Sequence, residues 1–117
     1  MSVPVAVEAL RAETGRHGLV AYLCTVSDRA TPHLVSVELA WDGDALVASA
    51  GRSTCANAAA RPVVTLLWPP GPEPGYSLIV DATAVVADGV VRLAPASAVL
   101  HRLAGAVVDG PTCRPVE

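Results

Sequence analysis

The chain has 117 residues, room for one domain with a single core and hardly for two. Hydrophobic residues make up 52% and charged residues 16%, which excludes a disordered chain or a nucleic-acid coat. The net charge is -3 and the sequence has no lysine, which removes Schiff-base and Walker-type lysine chemistry; the eight scattered arginines form no basic stripe for DNA or RNA.

The first residues, MSVPVAVEALRAE, carry Glu8 and Glu13 within a short apolar stretch and do not read as a signal peptide. Pro4 near a first turn, with Val7 and Leu10 three apart, predicts a helix over about 4–14. Gly15 and Gly18 end it, and LVAYLCTVS predicts a strand. The polar turn at Asp28–Thr31 leads through Pro32 into HLVSVELAW. There His33, Val35, Val37, Leu39 and Trp41 share one face, and Leu34, Ser36, Glu38 and Ala40 the other. Glu38 fits equally an interior position needing a partner and an ordinary solvent-facing one. Trp41 and Trp68 each end a strand, where an indole caps a pocket or closes a core.

Asp42-Gly43-Asp44 predicts a tight hairpin into ALVASA. Next comes GRSTCANAAARP: a turn at residues 51–53, a helix over residues 54–60, and a stop at Arg61-Pro62. With Ser53 or Thr54 as N-cap, this helix start is either a plain corner between strands or an anion site. Arg52 beside it would add a charge-assisted bond to a phosphate. VVTLLW is a strand, PPGPEPG a loop that cannot pair, and YSLIVDATAVVA a long strand turned at Asp88-Gly89 into VVRL. After Ala94-Pro95, ASAVLHRLAGAV predicts a closing helix over about 96–107, followed by a loose tail.

One domain therefore fills 1–117, with its barrel over about 19–93. Six strands joined mostly by tight turns, with no second layer, predict a mainly β fold with flanking helices: a small six-stranded antiparallel barrel. The excess of apolar residues predicts a homodimer. No apolar run is long enough to span a bilayer, so no membrane partner is expected. Cys24, Cys55 and Cys113 have neither metal-ligand nor disulfide-framework spacing, and His17, His33 and His101 share no ligand spacing. These features predict a reduced, cytoplasmic protein without a metal site.

The order of elements carries more. TPH leading to a VxV strand and WDGDAL, then VASAGRS, ARPVVTLLWPP and VDATAVV, resembles the pyridoxamine 5′-phosphate oxidase-like family of FMN-binding split barrels, from about Val5 to Leu103. That resemblance implies a homodimer with FMN in a cleft between subunits, and an oxidoreductase acting on an unidentified small molecule. It leaves as alternatives a deazaflavin ligand, a haem with a histidine such as His33 or His101 as axial ligand, or a barrel without flavin that serves as a binding or interaction module. The family's flavin-ring strand falls on residues 34–39, so Leu34, Val35, Ser36 and Val37 are candidate cofactor contacts, with Leu34 where the family has arginine. Its tyrosine–threonine pair falls on Ala48 and Ser49, its Ser-Arg-Lys phosphate clamp on Ser53, Thr54 and Cys55, and a glutamine on Ser77. Both clamp cations are thus replaced, and Arg52 is the only nearby compensation. No catalytic acid or base is nameable.

Overall fold

The computed structural model describes residues 2–70 and 75–102. Eight strands and two α-helices follow in order: β1 (Ser2–Val5), a 3-10 turn at Val7–Ala9, α1 (Leu10–His17), β2 (Val20–Val26), β3 (Pro32–Glu38), β4 (Ala40–Asp42), β5 (Ala45–Ser49), α2 (Arg52–Ala60), β6 (Val63–Trp68), β7 (Ser77–Ala87) and β8 (Val90–His101). All pair antiparallel in one sheet ordered β3-β2-β6-β7-β8-β5-β4, and β1 adds to β8. The fold is mainly β, as the alternating runs predict, but it has eight strands among the described residues where six were expected, because β1 forms at the N-terminal end and the run over 33–41 divides in two.

The way the sheet curls follows from its connectivity. The strand predicted as one piece over 33–41 breaks at Leu39 into β3 and β4, which lie at opposite ends of the strand order. A one-residue link between the two edges forces the sheet to roll into a half-barrel. β3 then approaches β5 with no main-chain ladder between them among the described residues. That unsealed seam is the split in the barrel.

Two expectations are corrected. The predicted N-terminal helix over 4–14 begins as strand: Ser2 to Val5 pair with His101 to Ala98, and α1 starts only at Leu10 and runs on to His17. Pro4 is tolerated because β1 lies off the main strand path, where a missing N–H costs no second ladder. Gly18, with φ 90°, ends α1, while Gly15 lies inside it. The predicted C-terminal helix over 96–107 is strand as far as His101, and residues 103–107 lie outside the described residues. Pro95 does not end β8. The register slips by one residue between Asp81 and Ala82, so Ala82 faces Pro95 while Asp81 faces Ser97. A bulge of this kind accommodates proline within a sheet.

The expected turns hold. Gly43 has φ 63°, and Asp88 and Gly89 both have positive φ, as a two-residue hairpin between right-twisted strands requires. Inside, Leu23, Leu46, Leu66, Leu93 and Val80 are fully buried, each contributing about 1.5–3 kcal/mol relative to exposure. Leu10 of α1 joins that core. Both tryptophans bind α1 to the barrel: the Trp41 indole N–H donates to Thr14 Oγ1 (3.1 Å) and the Trp68 N–H to the Gly18 carbonyl (2.8 Å). They close the core, and neither lines the cleft described below. Glu38 points to solvent. On the outer face of β3-β2-β6, Leu34, Val20, Tyr22 and Val63 are exposed, and Tyr22 sits in register with Ser36 and Leu67.

Candidate functional site

Alternation along β3 turns His33, Val35 and Val37 toward the interior and leaves Leu34, Ser36 and Glu38 outside. Across the split, β5 ends at Ser49, and the Ala50 N–H is held by the Gly89 carbonyl at 3.0 Å. Gly51 follows in extended conformation and α2 begins at Arg52. The chain thus delivers a helix start against the inner edge of β3.

The N-cap is Gly51, not Ser53 or Thr54, and no side chain caps the helix. The first helical bond runs from Cys55 N–H to the Gly51 carbonyl at 3.0 Å. The N–H groups of Arg52, Ser53 and Thr54 are therefore left without partners among the described residues, as the first turn of any helix leaves them. Because Ser53 and Thr54 lie inside the first turn, their hydroxyls are not spent on capping.

These groups line one cavity of about 330 Å³ in the split. Its floor and rim are His33, Val35, Ser36 and Val37 of β3, and its far side is Ser49 to Thr54. Thr54 is only 2% exposed, and its hydroxyl has no hydrogen-bond partner among the described residues. A buried hydroxyl left unpaired costs about 1–3 kcal/mol unless a ligand completes it. The Arg52 guanidinium is exposed at the rim and forms no ion pair among the described residues. Three amides, a buried hydroxyl and one free cation at the positive end of a helix make an anion-binding arrangement.

Of the candidate cofactor contacts, Val35, Ser36, Val37, Ser49, Arg52, Ser53 and Thr54 meet at this cavity. Three do not. Leu34 is 57% exposed on the opposite face of β3. Cys55 is turned inward against the core, with its thiol 3.5 Å from the Ala50 carbonyl. Ser77 opens β7 opposite His101, away from the cavity. Ala48 is buried in the core. His33, singled out from sequence only as an axial ligand should the group be haem, lines the cavity; its place on the Val35–Val37 face was the available signal. No group of histidine, cysteine or acidic residues fit to hold a metal occurs among the described residues.

Thr54→Val tests whether the hydroxyl serves a ligand. With nothing bound, the isosteric change removes an unpaired polar group and is expected to leave stability unchanged or raise it by up to about 1–2 kcal/mol, read from the urea midpoint. A loss of more than 1 kcal/mol would show that the hydroxyl supports the fold.

A curled antiparallel half-barrel with a cavity in its split, closed by a helix start, is the architecture of the pyridoxamine 5′-phosphate oxidase-like split barrels. The putative pyridoxamine 5′-phosphate oxidase of Listeria innocua superposes with a TM-score of 0.66 at 14% identity, covering 80% of this chain and 96% of that one. A FAD-binding protein of Mesorhizobium loti gives 0.63 at 17% identity, covering 86% and 98%. An F420 reductase gives 0.57 at 18% identity, covering 68% and 88%. No family model matches the chain. In sequence it belongs to one family with an uncharacterized protein of Mycobacterium bovis and another of Mycobacterium tuberculosis. It is 41% identical to each over 112 aligned residues, covering 79% of this chain and 75% of the relative. No helix among the described residues is long and apolar enough to cross a membrane.

Proposed function

We propose that the chain is a homodimeric cytoplasmic protein that binds a flavin-type cofactor in the split of its barrel and acts as an oxidoreductase on a small molecule. The observation that carries this reading is the unpaired, buried Thr54 hydroxyl, set beside three unpartnered amides and Arg52 in one cavity. A phosphate satisfies all of these groups at once. Val35 and Val37 offer an apolar wall beside the anion site, suited to a flat ring. A bound flavin supplies hydride chemistry, while the chain supplies placement and electrostatics. The split-barrel proteins named for FAD and F420 support a flavin or deazaflavin as the class of cofactor.

The dimer is supported by the outer face of β3-β2-β6. Val20, Leu34 and Val63 are each more than half exposed there, an arrangement that favours burial against a second chain. Light scattering at micromolar concentration is expected to give twice the 11.9 kDa chain mass. A monomer would remove this part of the reading. For the cofactor, the visible spectrum of the purified protein, followed by titration with FMN, FAD and F420, decides. A flavin or deazaflavin spectrum, or saturable quenching of added cofactor, supports the proposal. A haem spectrum, or a colourless protein that ignores all three, sinks it.

A further inference from the structure

A second cavity, of about 560 Å³, lies on the other side of the α2 start and shares His33 and Ser53 with the first. Its remaining walls mix polar and apolar groups: Ser27 and Asp28 from the β2–β3 turn, Asn57 and Arg61 from α2 and its end, and the methyl groups of Ala56 and Ala60 between them. Arg61 is half-buried and oriented by its Nε donating to the Val26 carbonyl at 2.6 Å. Its terminal nitrogens have no ion-pair partner among the described residues, Asp28 included. Asn57 is 8% exposed. Its amide nitrogen donates to Thr25 Oγ1 at 3.1 Å, and its side-chain oxygen and second N–H have no partner among the described residues. Because a threonine hydroxyl both donates and accepts, Asn57 can present either amide end to the cavity. A fixed guanidinium and a buried, half-satisfied amide facing one chamber are more than a helix stop requires.

Resting on the cofactor reading above, we infer that this second chamber takes a second anionic group of an extended cofactor, and that the protein selects such a cofactor over FMN. The shared chemistry is an anion carried beyond the first phosphate: the second phosphate of a diphosphate as in FAD, or a carboxylate as in the tail of F420. Arg61 pairs with that anion, His33 and Ser53 line the passage between the chambers, and Asn57 donates from below. Asp28 at the rim opposes it and sets an upper limit on its affinity.

The test is a set of fluorescence titrations of the full chain with riboflavin, FMN, FAD and F420. Wild type is expected to bind FAD or F420 at least about tenfold more tightly than FMN, and whichever of the two wins identifies the second anion as phosphate or carboxylate. Arg61→Gln is expected to lose about tenfold for the extended ligand and to leave FMN within about twofold, whereas Arg61→Lys keeps most of the preference. Asp28→Asn, an exposed turn position, is expected to tighten the extended ligand about threefold without affecting FMN. That variant decides the matter if thermal melting shows Arg61→Gln unfolded. Equal affinity for FMN, FAD and F420, equal losses in Arg61→Gln, or no response in Asp28→Asn overturns the subsite and leaves the cofactor reading standing. Absence of binding by all four overturns both.

Discussion

Trp68→Ala is expected to destabilise the chain by about 3–5 kcal/mol, a large part of the roughly 5–15 kcal/mol that holds a typical domain. Trp68 ends β6, is fully buried, and donates its indole N–H to the Gly18 carbonyl at 2.8 Å. Truncation opens a cavity between the barrel and α1 and leaves that carbonyl unpaired at the turn that ends the helix. Trp68→Phe separates the two effects, because it keeps most of the volume and loses only the hydrogen bond; its cost should be nearer 1–2 kcal/mol. Urea unfolding at fixed protein concentration measures both. A loss below 1 kcal/mol in Trp68→Ala would mean that α1 is not held to the barrel as described.

The second large effect concerns ligand and not fold. Arg52→Ala is expected to weaken a phosphate-bearing flavin by about 1.5–3 kcal/mol, which is more than tenfold, and to leave riboflavin unchanged. Arg52 is the one cation at the rim of the first cavity and engages no acid among the described residues. Its removal therefore leaves no buried charge behind, and stability should stay within about 0.5 kcal/mol. Because the guanidinium is exposed, the wild-type advantage should shrink with added salt. Equal FMN affinity in Arg52→Ala at low salt would show that the amides of α2 and the Thr54 hydroxyl do not act with this arginine.

Much of the barrel was legible because period two and turn chemistry are local signals. The alternation of His33, Val35 and Val37 and the Asp-Gly pairs at 42–43 and 88–89 fixed faces and turns directly. The two chain ends were misread for one reason. Alanine-rich stretches such as ASAVLH favour helix locally, and long-range pairing with β7 and β1 overrides that preference. The helix start that lines the cavity was legible as a turn with Arg52, Ser53 and Thr54. Its cap was not, since Gly51 competes with serine at that position and one residue of shift changes which hydroxyls remain free. Leu34 and Cys55 lie off this cavity because matching by position ignores which way a side chain turns. Arg61 was hidden by its neighbour: before Pro62 it reads as punctuation, and only the fold shows it beside the β2–β3 turn.

The pairing of β1 with β8 has a consequence for how the chain reaches this state. Ser2 and His101 stand opposite each other although 99 residues separate them. Closing so long a loop is entropically costly and yields nothing until β8 already lies on β7. β1 is thus among the last strands to be placed, and the hairpin of β7 and β8, joined by two residues at Asp88-Gly89, is suited to form early. A sheet tied together by such distant partners belongs with the slow folders, in the millisecond-to-second range, and keeps one β8 edge open to other strands until β1 arrives.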